Sequence, residues 1–237
     1  MNPSAYHIEI THLLLIGIPL LVVLFIFLRW SLEVKTLFYA TGRMVLQLVL
    51  IGYLLVILFK CESPYPISAI LFVMMAIAAW ISLRPLKSLR MKYYLKVLTA
   101  IGLGGVPVLL LVVFYVIRLE PWFLPRYLIP LAGMIFANCM NTVSLSAERF
   151  VAEVNNGKSY VQSRNTAYQA GLIPLMNSFF AVGLVSIPGM MTGQILSGIS
   201  PLLAARYQIM VMCMLFGSCG IATAVFLTLI KKDSHHE

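Results

Sequence analysis

The sequence predicts an all-α polytopic membrane protein of about seven transmembrane helices, one of them broken at Pro188-Gly189. Three observations carry this. Of 237 residues, 61% are hydrophobic and 11% charged, and the mean hydropathy is +0.94. A soluble domain needs far more polar surface. The apolar residues come in long continuous runs rich in Leu, Ile, Val and Met, whereas a β-barrel needs alternating segments of about ten residues. Finally, the stretch 173–208 starts as a membrane helix and is then interrupted by Pro188-Gly189, Met190, Met191 and TGQ at 192–194. Proline removes a backbone donor and glycine loosens the chain. In hydrocarbon, freed backbone groups are tolerated only inside protein or along a wet cavity, so this stretch is the expected lining of a pathway.

No separate soluble domain fits, and 1–237 reads as a single transmembrane domain. Residues 1–11 are polar and carry Glu9 but no lysine or arginine. No basic region precedes the first apolar run, so no cleavable signal peptide is expected. The first span covers 12–28 and stops at Arg29. The others cover 37–59, 67–83, 97–117, 127–147, 172–196 and 207–230, most of them near the ~20 residues a bilayer helix needs.

Charge sets the orientation. One alternate set of connecting segments holds thirteen of the 17 lysines and arginines, and the other set holds four. Basic residues favour the cytoplasm, so the N-terminus is expected outside and the C-terminus inside. The net charge of +9 then reflects cytoplasmic loops, and no nucleic acid partner is expected.

The longest cytoplasmic link is 148–171. The AEVNNGKS stretch at 152–159 imitates a relaxed P-loop, but no strand precedes it and no α/β domain surrounds it, so it is read as chance. Asn155-Asn156-Gly157 marks a turn. Ser159 followed by Gln162 is a capping box, predicted to open a separate short helix reaching about Ala170. Such a helix between two spans either docks on a partner or simply connects.

All eight acidic residues, Glu9, Glu33, Glu62, Glu120, Glu148, Glu153, Asp233 and Glu237, lie outside the predicted spans. A proton-relay carboxylate is therefore missing, and uphill transport must draw its force from another chain. His7, His12, His235 and His236 lie at the two ends and make no catalytic site; no enzyme activity is expected. Cys61, Cys139, Cys213 and Cys219 show no paired spacing, which argues against a disulfide framework or a zinc site.

Polar residues within spans are the candidate pathway. Asn138 and Asn141 share a face of span five, Asn177 sits in span six, Thr192 and Gln194 follow the break, and Gln208 opens span seven. Buried amides also simply tie helices together, which is the commoner role for any one of them. Arg43 and Gln47, one turn apart in span two, read equally as a snorkelling pair or a cytoplasmic vestibule. Most methionines are packing residues. Met190 and Met191, at the break, are the exception, since thioethers suit soft metals such as Cu(I) and serve iron poorly.

Several stretches resemble the FetB family of ABC-transporter permeases: IPGMMTGQILSG at 187–198 with Pro201 and ARYQI at 205–209, IPLAGMIFANCMNTVSL at 129–145, and TGRMVLQLVLIG at 41–52. The family commonly has Gly-Asn-Ser where this chain has Ala137, Asn138 and Cys139. The resemblance implies a permease subunit in the bacterial inner membrane, used as a homodimer beside two ATP-binding subunits. It implies iron or another metal as exported cargo, and its plant relatives are linked to aluminium tolerance. ATP and Mg would be held by the partner, with no cofactor bound by this chain. It further implies that the 148–171 segment, through Ser159, Tyr160 and Arg164, docks on the ATPase. A self-sufficient channel or secondary carrier using the same broken helix is the alternative.

Overall fold

The computed structural model describes residues 9–231 except residue 62. His7, Glu62, Asp233, His235, His236 and Glu237 lie outside the described residues. The chain divides into two compact units, 1–60 and 61–237. Among the described residues there are helices and no β-strand.

The first unit holds α1 (Ile10–Leu15), α2 (Gly17–Arg29) and α3 (Val34–Leu58). The α1–α2 pair is one apolar rod stepped at Ile16, and its stretch Thr11–Arg29 has a mean hydropathy of 2.7. No side chain of α2 is buried within the protein, and α3 buries only Leu58. A helix as uniformly apolar as α2, with no buried side chain, is suited to lipid. Arg43 and Gln47 are exposed on α3.

The second unit holds α4 (Pro64–Ser82), α5 (Arg90–Leu111), α6 (Pro125–Asn155), α7 (Tyr160–Ala181), α8 (Gly189–Leu196) and α9 (Pro201–Leu229). Its core is the seam where α5, α6 and α9 meet. A Cβ on Gly104 of α5 would lie 2.5 Å from the backbone nitrogen of Ala222 in α9. Only glycine lets two helices come that close, the usual device in membranes, where packing replaces the hydrophobic drive between helices. Ile135, Cys139 and Val143 of α6 fill the same seam without exposure. Arg90 fastens α4 to the start of α5. Its guanidinium lies 3.7 Å from the centroid of the Trp80 ring and donates to the Trp80 carbonyl from Nη2 (2.6 Å) and Nε (3.0 Å). A cation at the last turn of a helix also meets the favourable end of its dipole.

Among the described residues, six helices are long and apolar enough to cross a bilayer. The predicted span 172–196 is not among them, and two boundaries differ from expectation. First, the predicted break at Pro188-Gly189 is present but is wider than those two residues. Helix α7 ends at Ala181, residues 182–188 form a turn, and Pro188 caps α8. The turn begins six residues early: Val182 is already extended, at ψ 130°, and Gly183 follows it in the left-handed region at φ +81°. The Ala181 carbonyl collects the amides of Leu184, Val185 and Ser186, and the Gly183 amide donates to the Ser186 carbonyl. Second, no separate short helix ends near Ala170. Helix α7 runs unbroken through Gly171 and Pro174 for 22 residues, about 33 Å. Pro174 offers no N–H to the carbonyl at position 170, and three residues before it Gly171 lets α7 press against α6. A Cβ at Gly171 would stand 2.8 Å from the Thr142 carbonyl.

The helices alternate in direction. Tyr160 meets both Phe150 of α6 and Leu227 of α9, which places those three ends together. Met134, Ser178 and Val211 surround one cavity far from that end. Beyond it, α8 packs along the first turns of α9 and carries the chain to Pro201. Helices α7 and α8 therefore together make the passage that a single helix was expected to make.

Candidate functional site

The turn at 182–188 leaves space around it. A cavity of about 350 Å³ lies between α6, the break and α9, lined by Met134, Asn138, Ser178, Met190, Gln208 and Met212 among others. A second, of about 440 Å³, lies on the other side of Gln208 and is lined by Phe179, Met191, Met212 and Cys213. A third, of about 90 Å³, continues from Asn138 and Ser178 between α6 and α7, past Asn141 and Thr142 to Gly171. The three share walls and form a row along the inner face of the broken element.

Met134 lies nine residues into α6, about 14 Å from its Pro125 end at 1.5 Å per residue. The row is thus placed within helix length, where water is scarce and an exposed polar group needs a reason.

Gln208 joins the first two cavities. It is 7% exposed, and its Oε1 has no hydrogen-bond partner. An unpaired buried carbonyl costs about 1–3 kcal/mol, and packing alone does not explain it. Asn138 differs. Its Nδ2 donates to the Met134 carbonyl at 2.8 Å, while its own carbonyl accepts from Thr142 Oγ1 at 2.8 Å. Its side chain is therefore held against α6 at the junction of two cavities.

The remaining sequence-predicted residues divide. Met190, Met191 and Asn141 line the row. Gln194 is half-buried, with an unpartnered Oε1, outside the walls of these three cavities. Thr192 is exposed, and its hydroxyl donates back to the Pro188 carbonyl four residues earlier at 3.2 Å. Asn177 is exposed and lines none of the three. Arg43 and Gln47 belong to the first unit.

At the far end of α7 the capping box is formed: Gln162 N donates to Ser159 Oγ at 3.4 Å, and Ser159 N donates to Gln162 Oε1 at 3.3 Å. Tyr160 packs edge-on to Phe150, with ring centroids 6.0 Å apart, and its hydroxyl donates to the Leu227 carbonyl at 2.9 Å. Burial pushes its phenol above the ordinary range. Arg164 holds Asn165 Oδ1 through Nε and Nη2, at 3.1 and 2.9 Å.

Glu153 escaped the sequence reading. Its carboxylate is buried at the end of α6, 2.5 Å from Arg149 Nη2 and 2.5 Å from Lys158 Nζ across the turn. The Lys158 hydrogen bond and the two positive charges hold its carboxyl below the usual carboxylate range. A carboxylate at a helix C-terminus opposes the dipole, so both cations are needed there. The signal was present as Glu153 four residues after Arg149.

The sequence also missed a thiol pair. Cys139 of α6 and Cys219 of α9 are both fully buried, with Sγ atoms 3.7 Å apart. Among the described residues, no three His, Cys, Asp or Glu side chains gather in a way that could hold a metal ion.

Comparisons with known proteins bear on this arrangement. A family described as "Uncharacterised protein family (UPF0014)" matches residues 10–234. A UPF0014 membrane protein of Synechocystis is 35% identical over 83% of this chain and 82% of its own length. The Escherichia coli protein named "Probable iron export permease protein FetB" is 31% identical over 86% of this chain and 84% of its own. The Arabidopsis thaliana "Protein ALUMINUM SENSITIVE 3" is 30% identical over 78% of this chain and 72% of its own. No solved structure matches.

Proposed function

This chain belongs to the UPF0014 family of membrane proteins, and from that premise we propose that it is the permease subunit of an ABC transporter that exports a metal ion. The cargo class follows the name of the E. coli relative, "Probable iron export permease protein FetB". Two copies pair with two ATP-binding subunits, which hold the ATP and Mg. The assembly sits in the bacterial inner membrane, with the N-terminus of this chain outside and its C-terminus in the cytoplasm.

One observation supports this reading above the others. Helix α7 is a single rod from the Ser159 cap to Ala181, and Ser178, in its last turn, lines the central cavity. A push at the cytoplasmic turn is therefore delivered at the cavity about 27 Å away. Closure of the ATPase dimer supplies the push, and the turn at 182–188 absorbs it. The row of cavities has no carboxylate in its walls, which leaves no internal proton relay to drive uphill movement.

The test is copurification. The chain, tagged and expressed with an ABC ATPase encoded beside it, should bring that ATPase through detergent extraction in equal amount. The pair should hydrolyse ATP faster in lipid than the ATPase alone. A permease that never retains an ATPase contradicts the proposal.

A further inference from the structure

We infer that the α6–α9 seam binds a soft monovalent cation of the Cu(I) and Ag(I) class, captured by cavity thioethers and passed to the Cys139–Cys219 pair. The inference rests on the transport reading above and narrows its cargo.

Three thioethers, from Met134, Met190 and Met212, converge on the central cavity from α6, α8 and α9. Methionine often merely fills gaps. Here the three methionines line open space, and the same walls hold Gln208, whose buried amide oxygen Oε1 has no partner. One helical turn further along the same two helices lies the thiol pair. Asn138 and Leu215 line the cavity; Cys139 follows the first directly and Cys219 follows the second by four residues. The two Sγ atoms are 3.7 Å apart. Metal–sulfur bonds of about 2.3 Å let one ion touch both. Sulfur is thus present at two successive levels of one seam.

The donor set selects the ion. Thioether and thiolate sulfur prefer Cu(I), whereas iron in its common states calls for oxygen and imidazole. Charge points the same way. No Asp or Glu lines these cavities, and an unpaired divalent or trivalent ion in such surroundings carries a dehydration cost that grows steeply with charge. A monovalent ion bound by neutral sulfur avoids most of it. Thioethers bind without losing a proton. Each thiol that binds does so as a thiolate and releases its proton, so transfer to the pair is accompanied by proton release.

The full-length protein in lipid nanodiscs, loaded with one equivalent of Cu(I) under anaerobic conditions, provides the test. X-ray absorption should show a first shell of sulfur. In competition with a Cu(I)-selective chelator, the M134L/M190L/M212L variant should lose affinity at least about tenfold. The C139S/C219S variant should keep capture but lose the proton release on metal binding. A first shell of oxygen and nitrogen in the wild-type protein overturns the inference whether or not the variants fold. Unchanged competition in the folded triple-methionine variant, or displacement of Cu(I) by equimolar Fe(II), overturns it too. The measurement needs no ATPase. Sulfur-bound Cu(I) in a chain that assembles with no ATPase would sink the permease reading alone, and ATP-driven iron export without Cu(I) binding would sink this inference alone.

Discussion

Tyr160, the first residue of α7, donates its phenolic hydrogen bond to the carbonyl of Leu227 in α9, 2.9 Å away. Leu227 is among the last four residues of α9, whose carbonyls lack intrahelical donors. The contact therefore caps α9 and ties the α6–α7 turn to it in one bond. Tyr160→Phe keeps the ring against Phe150 and removes only this bond. Its loss should lower stability by about 1 kcal/mol, read as a lower unfolding temperature in detergent. Retention of the ATPase should fall further than that loss explains, as it should in Arg164→Ala. Intact complexes from both variants would remove Tyr160 and Arg164 from the docking surface.

Gly171 should not tolerate a methyl group. An added Cβ would meet Ser146 Oγ and the Thr142 carbonyl of α6, the latter at 2.8 Å. The carbonyl is backbone and cannot swing away, so α7 must separate from α6. Gly171→Ala should destabilise by about 1–3 kcal/mol. Gly217→Ala, with nothing within 4 Å of its Cβ, should be neutral or gain up to about 1 kcal/mol. Thermal unfolding of the two variants checks the contrast.

Glu153 gives the α6–α7 turn a pH dependence. Lys158 and Arg149 lower its folded pKa. Its contribution is therefore complete above the unfolded carboxyl value of about 4.3 and is lost as pH falls through the lower folded value. Unfolding temperatures of wild type and Glu153→Gln should differ at neutral pH, with wild type higher, and should converge in acid below the folded pKa. A constant gap across the acid range would contradict the ion-pair account.

Gln208 should separate stability from function. Gln208→Leu removes an unpartnered buried oxygen, so stability should stay level or rise, while transport by the assembled complex should fall at least about tenfold, or ~1.4 kcal/mol. Asn138→Leu and Gln194→Leu should also impair transport with membrane insertion intact. Normal transport at normal expression would return these amides to a packing role.

These residues show what the sequence could reveal. The all-α class, the long apolar helices and the Ser159–Gln162 capping box were legible because each depends on neighbours within one or two turns. The start of the break was not. Pro188 and Gly189 are the more visible breakers, yet the helix already ends at Val182, and the turn that Gly183 permits closes on the Ala181 carbonyl. The continuity of α7 through Pro174 was hidden as well, because proline reads locally as a helix breaker. The Cys139–Cys219 approach joins residues 80 positions apart, and no local spacing encodes it. Gln208 was picked out for polarity alone; that its oxygen lacks a partner emerges only from three-dimensional packing.

The most direct measurement is metal movement in sealed proteoliposomes that contain the chain with or without its ABC ATPase. The account predicts accumulation only with both proteins and ATP, and none with the chain alone under any ion gradient. A concentration gradient built by the lone chain would contradict it.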